Sequence, residues 1–142
     1  MSELKIERIF ESDPETVFAF VTEGEKLLQW WGHEGMTIPE HNLDFSGPGP
    51  WMATLVGAEG GRYKMSGEVI AVDPPNSVEF TWGWHDENDE RGHDSKVRFE
   101  VKAVEDGTHF KMIHSGLANE DSVNGHEQGW TSAYRKLERL LN

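Results

Sequence analysis

A chain of 142 residues with 26 acidic and 13 basic side chains carries a formal net charge of −13, so its average surface repels phosphate backbones and anionic lipid; nucleic acid is a poor partner, and the acidity reads as solubility. It has no cysteine, which excludes disulfides, thiolate metal sites and cysteine nucleophiles and suits a reducing cytoplasm. No apolar run approaches the roughly 18 residues of a membrane span, and the start MSELKIERIF reads as a charged strand, so the expectation is one cytoplasmic domain without membrane insertion.

Leu4 to Glu11 predicts a half-buried strand, with Ile6 and Phe10 on one face and Glu7 and Glu11 on the other. Arg8 shares the inward side, and if buried it needs a carboxylate such as Glu68 or Glu100. A helix starts at Ser12-Asp13-Pro14-Glu15: Asp13 can cap the free amides, Pro14 is at no disadvantage in the first turn, and Glu15 suits the positive end of the helix dipole. Val17, Phe20 and Val21 form its apolar side. Gly24 interrupts it, and Leu27, Trp30 and Trp31 continue the helical spacing as far as Gly32.

From Met36 to Phe45 the pattern predicts a strand, which Pro39 places at an edge. Ser46 to Pro50 is a turn. Trp51 to Val56 and Arg62 to Val72 then form a hairpin around Gly57 to Gly61, with a bulge expected at Gly67. Asp73-Pro74-Pro75-Asn76 stops it. Ser77 to Trp84 alternates, with Val78, Phe80, Trp82 and Trp84 on one face. His85 to Asp94 is too polar for a core and predicts an exposed loop. Val97, Phe99 and Val101 alternate in the next strand, a turn follows at Glu105-Asp106-Gly107, and Phe110, Met112 and His114 share a face of the last strand.

Asn119 to Ser122 offers caps for a terminal helix over Ser122 to Asn142. At 3.6 residues per turn, Trp130, Ala133, Tyr134, Leu137, Leu140 and Leu141 form one stripe, opposite Thr131, Arg135, Lys136, Glu138 and Arg139. Such a stripe must lie against something apolar, and the upstream strands supply it. The elements predict a sheet folded around its last helix.

Gly67-Glu68-Val69 ahead of Asp73-Pro74-Pro75, then Val78-Glu79-Phe80-Thr81-Trp82, His114-Ser115-Gly116-Leu117, and Gly129-Trp130 with Leu137 and Leu140, resemble the bacterial single-domain proteins named for homology to the activator of the heat-shock-protein-90 ATPase. Arg8 and Trp30-Trp31 match the same pattern, and the resemblance spans nearly the whole chain. These proteins belong to the START-like (SRPBCC) superfamily. The resemblance implies an α+β helix-grip fold: a curved antiparallel sheet wrapped around a long C-terminal helix, with two short helices after the first strand. It also implies a cavity between sheet and helix, which different members use to bind lipids, steroids, hormones or polyketides. The activity in the family's name is stimulation of a chaperone ATPase, with its tie to stress response, and belongs to part of the larger eukaryotic activators.

Trp51, Trp82, Trp84, Trp130 and Tyr134, with Phe80 and Met65, are candidates to line such a cavity, against the alternative of plain core packing. His114 is in phase with Phe110 and Met112, and His126 lies within about 40° of Trp130 on the helical wheel, so both can point inward. Two converging imidazoles suit polar recognition, or acid and base catalysis near neutral pH. His85, Asp86, Asp89, Glu90, His93 and Asp94 contain metal-type donors, but their spacing matches no ligand motif and a solvated loop is the expectation. Neither Gly24 nor Gly57 to Gly61 precedes a helix as a phosphate cradle would. Gly125 and Gly129 suit a close approach of the helix start to the sheet.

The reading is a non-catalytic binder of a small, largely apolar molecule, with no metal or cofactor, existing as a monomer or homodimer. Its contacts are Met65, Phe80, Trp82, Trp84, His114, His126, Trp130 and Tyr134. The alternatives are a cyclase or hydrolase that uses the same cavity with the histidines as acid and base, and a regulator that contacts a chaperone.

Overall fold

The computed structural model describes residues 2–142. In chain order the elements are β1 (Ser2–Phe10), α1 (Pro14–Phe20), α2 (Gly24–Leu27), β2 (Thr37–His41), β3 (Gly49–Val56), β4 (Arg62–Asp73), β5 (Ser77–Trp84), β6 (Ser95–Val104), β7 (Gly107–Leu117) and α3 (Glu120–Leu141). The strands form one seven-stranded antiparallel sheet in the order β1-β7-β6-β5-β4-β3-β2. Five successive hairpins build β2 to β7. β1 and β2, neighbours in the chain, lie on opposite edges, and α1 and α2 carry the chain between them. The sheet curves around α3, so this is the helix-grip architecture, and Pro39 sits on edge strand β2.

Local chemistry accounts for the helix starts. The Asp13 carboxylate accepts from the Thr16 amide at 2.8 Å, with Pro14 in the first turn. Asn119 caps α3 by accepting from the Ser122 amide at 2.9 Å. α1 turns Phe18 into the core, leaving Phe20 half-buried against the Lys26 ammonium. Gly24 does not break a helix but opens α2, because a side chain there would strike the Leu43 carbonyl.

The long helix lays Trp130, Ala133, Tyr134, Leu137 and Leu141 against the concave face. Each large apolar side chain so buried stabilises the fold by about 1.5–3 kcal/mol. Leu140 departs from the expected stripe and is exposed, since the buried arc narrows toward the end of the helix and Leu141 fills it. Arg8 also finds a different partner: its Nε donates to Glu138 Oε1 of α3 at 2.8 Å, not to Glu68 or Glu100. Sheet curvature brings the edge strand against the helix, so the nearest carboxylate is helical.

The bulge between β4 and β5 falls at Ile70, where the register shifts between Val69 opposite Phe80 and Ala71 opposite Glu79. Gly67 stays in step with Trp51 of β3. Its lack of a side chain serves close packing, because a Cβ would collide with the Thr81 carbonyl, whose residue also accepts from the Glu68 amide through its hydroxyl. Gly67→Ala is therefore expected to destabilise the protein by about 1–3 kcal/mol, read as a lower urea midpoint with an unchanged m-value.

Candidate ligand-binding site

A cavity of about 420 Å³ lies between the concave face and the N-terminal half of α3. Period-two alternation aims Met65 of β4 and Trp82 and Trp84 of β5 at it, and α3 contributes His126 and Trp130 on one face, a turn apart. Trp84 stands at the mouth, 38% exposed, while Trp82 is 6% exposed. Phe80, His114 and Tyr134, expected in the same set, do not line the space. Phe80 stacks on Phe45 with centroids 4.2 Å apart and meets Phe99 edge-on, and so sits inside the packed core. Tyr134 lies one turn below Trp130, stacked beneath it at 5.6 Å and edge-on to Phe110. Trp51 is likewise packed among Phe45, Phe80 and Trp82.

His114 is covered by Trp130, and both its ring nitrogens are engaged. Trp130 Nε1–H donates to His114 Nδ1 at 3.1 Å, the imidazole Nε2–H donates to Ser95 Oγ at 2.8 Å, and the hydroxyl donates to the Trp82 carbonyl at 3.3 Å. This directional chain admits one neutral tautomer. Burial, reinforced by the neighbouring His126, pushes the His114 pKa down from 6.5 to about 3. His126 is held in the complementary tautomer, with Nδ1–H donating to the Ser122 carbonyl at 2.8 Å and Nε2 accepting from Trp84 Nε1–H at 3.0 Å. Burial lowers its pKa also, against the opposing pull of the Ser122 carbonyl. The rings do converge, with centroids 4.6 Å apart, but as two neutral acceptors of indole N–H bonds.

The pattern of the sequence did not single out the opposite wall, formed by Trp31, Gly32 and His33. Gly32 and Gly35 adopt φ of +81° and +86°, which favour glycine, and turn the segment back over α3. Three residue types of the helix then hold it. Lys136 Nζ donates to the Trp31 and His33 carbonyls at 3.2 and 3.4 Å, Ser132 Oγ accepts from the Glu34 amide at 2.9 Å, and Arg135 and Arg139 grip the Glu34 carboxylate at 3.1 and 2.8 Å. Those two guanidinium groups hold the Glu34 carboxyl below the usual carboxylate range. The available signal was the pair of arginines four apart on the helix's polar face, facing Gly-His-Glu-Gly.

On the α3 side, Gly125 faces open space and Gly129 faces His33, so their missing side chains leave room for the cavity and do not bring helix and sheet together. Among the described residues the wall carries no carboxylate, ammonium or guanidinium, and the Nε1 atoms of Trp31 and Trp82 and the Tyr134 hydroxyl have no partner. Burial raises the Tyr134 pKa well above 10.0. Among the described residues no helix is long and apolar enough to cross a membrane, and no group of donors is placed to hold a metal ion.

The family model described as "Activator of Hsp90 ATPase homolog 1-like protein" matches residues 11–142. The crystal structure of the AHSA1 protein from Silicibacter pomeroyi is 48% identical, with 99% of this chain and 97% of that chain covered and a TM-score of 0.95. Two more distant structures share the fold. A Chromobacterium violaceum protein is 15% identical, with 99% and 98% covered and a TM-score of 0.87; a Mycobacterium smegmatis protein is 21% identical, with 99% and 90% covered and a TM-score of 0.82. No curated protein matches the chain.

The buried histidines make stability depend on pH. Because the folded-state value of His114 lies below 6.5, the unfolded chain binds more protons between pH 6.5 and about 3, so this contribution is complete above 6.5 and is lost as pH falls. The slope should reach about 1.4 kcal/mol per pH unit, and His114→Asn, which keeps an acceptor for Trp130, should flatten the fall in melting temperature between pH 6.5 and 4.5.

Proposed function

The chain belongs to the Activator of Hsp90 ATPase homolog 1-like family of the START-like superfamily, and from that premise we propose that it holds a small, largely apolar molecule between its sheet and α3. The single observation carrying this reading is the cavity of about 420 Å³ with an uncharged, aromatic wall, within the size range of small-molecule sites. Met65, Trp82, Trp84 and Trp130 supply contact area together with the His126 ring, and His33 offers a polar edge. A two-histidine acid and base pair is not what this geometry supports: His114 lies behind Trp130, and neither ring has a free nitrogen.

A second reading, regulation of a chaperone ATPase by protein contact, is favoured by the family description. It requires no cavity.

Gly125→Leu separates the two. A Cβ at this position meets none of the described atoms within 4 Å, so leucine should fill the cavity while helix propensity raises stability by about 0.5–1 kcal/mol. A panel of fatty acids, steroids and aromatic polyketides, followed by tryptophan fluorescence and melting temperature, should contain a ligand that stabilises the parent chain by about 2.7 kcal/mol at 100-fold its Kd and leaves Gly125→Leu unshifted. A panel that shifts neither protein removes the binder reading. A chaperone ATPase rate raised equally by both proteins supports the second reading, and an unchanged rate removes it.

A further inference from the structure

The convex face of the sheet carries a separate constellation. Ser66 follows cavity-lining Met65 on β4, and His85 follows cavity-lining Trp84, so alternation turns both away from the concave side. Ser66 is the cross-strand partner of Gly83, two residues before His85. Ser66 Oγ lies 2.6 Å from His85 Nε2, and His85 Nδ1 lies 2.9 Å from Asp89 Oδ1. The carboxylate accepts a hydrogen bond from Nδ1–H, so Nε2 is the acceptor and the serine hydroxyl the donor. Nucleophile, base and orienting carboxylate thus stand in sequence.

The surroundings hold this arrangement in place. The loop from 85 to 92 is closed by bonds from the Asp86 amide to the Glu90 carbonyl at 2.9 Å, from the Asp89 amide to the Asp86 carbonyl at 3.0 Å and from the Gly92 amide to the Trp84 carbonyl at 2.8 Å. Asp89 alone among non-glycine described residues takes a positive φ, +62°, which turns its carboxylate onto the imidazole. Lys64 Nζ grips the same Oδ1 at 2.9 Å and, with His85, keeps the Asp89 carboxyl below its ordinary range. The His85 side chain is only 13% exposed.

A cation completes the site. The Arg91 guanidinium donates to the Ser66 carbonyl through Nε at 3.3 Å and Nη2 at 3.2 Å and pairs through Nη2 with Asp94 Oδ1 at 2.7 Å, so that Nη1 is the donor left for a substrate among the described residues. The group lies over Gly83, where a Cβ would come within 2.6 Å of its Cζ. It is therefore one cross-strand step from Ser66 Oγ, where charge would develop on an attacked carbonyl. Beside it is a cleft of about 320 Å³ bounded by Trp84, His85, Asp86, Glu90, Arg91 and Gly92. Two carboxylates at this cleft, on a chain of net charge −13, select against anionic substrates.

We propose that Ser66, His85 and Asp89 form a serine esterase site for small neutral or cationic carboxylic esters, independent of the cavity. Ser66 Oγ attacks the acyl carbon and its proton passes to His85 Nε2, while Arg91 faces the oxyanion. The ester C–O bond breaks, and the alcohol leaves with the proton from His85, giving an acyl-serine. Water then attacks the acyl carbon with His85 taking one proton. The bond from the acyl carbon to Ser66 Oγ breaks, the carboxylic acid departs, and His85 returns its proton to Oγ. Ser66, His85 and Arg91 touch the reacting atoms, and Asp89 is a positioning residue.

The test uses p-nitrophenyl acetate as the neutral probe, acetylthiocholine as the cationic one, and a fluorophosphonate that labels activated serines, located by peptide mass. The expected result is hydrolysis above the buffer rate, abolished in Ser66→Ala and His85→Ala and unchanged in Lys102→Ala, a change at an exposed position of β6 outside the site. Arg91→Gln should lose about 100- to 1,000-fold in kcat. Asp89→Asn should lose up to about 10,000-fold, with a displaced pH-rate profile that a purely structural role would not produce. Label on the parent chain should map to Ser66, which tests the proposal even if the serine variant fails to fold. No hydrolysis of either probe, a rate that survives Ser66→Ala, or label elsewhere would overturn it.

Discussion

One chain of hydrogen bonds holds this molecule in its working shape. From Trp130 of α3 it runs through His114 of β7 and Ser95 of β6 to the Trp82 carbonyl of β5, each donor satisfied by the next acceptor. It ties the helix to three consecutive strands in a medium where an unpaired polar group costs about 1–3 kcal/mol. Apolar packing alone would tolerate sliding of α3 along its stripe, whereas a directional relay through a single tautomer does not. The depth at which Trp130 is seated follows from it.

The cavity is a consequence of that seating. Below Trp130 the stripe of Tyr134, Leu137 and Leu141 is packed, so the cavity lies along the helix from Ser122 to Ala133, where Gly125 and Gly129 present no side chains. The remaining opening is walled by the segment from Trp31 to His33, which Glu34 helps to anchor. Its attachment is polar, through Lys136, Ser132, Arg135 and Arg139, on the flank of the same helix whose other side packs the core. One element thus sets both the floor and the side of the site. Lys136 is half-desolvated there, which lowers its pKa and makes its two carbonyl acceptors the compensation for burial.

The strand period divides the chemistry of the sheet into two faces. Met65 and Trp84 look inward, their successors Ser66 and His85 outward, so β4 and β5 carry an aromatic cavity wall on one side and a charged, hydrogen-bonded cluster on the other. Two histidine environments result. Those facing the core are neutral, with both nitrogens used, while His85 sits between a hydroxyl and a carboxylate near solvent. The cluster is held by side-chain contacts around a loop whose composition suggested only solvation.

Whatever depends on neighbours along the chain was legible in the amino-acid order. The Asp13-Pro14 start, the edge position of Pro39, the alternation through Trp82 and the stripe from Trp130 to Leu141 each rest on spacing or on a residue's own backbone preference. The inward set of Met65, Trp82, Trp84, His126 and Trp130 could be named because period two and period 3.6 fix which side a residue takes. Neither period says how deep it sits. Phe80, His114 and Tyr134 share those faces yet lie behind other rings, because depth depends on sheet curvature and helix seating. Tertiary approach likewise decided that Arg8 meets Glu138, that Glu34 is held by Arg135 and Arg139, and that Ser66 meets His85. Their partners lie 130, 101, 105 and 19 residues away, and distances of that kind exist only once the chain has closed on itself.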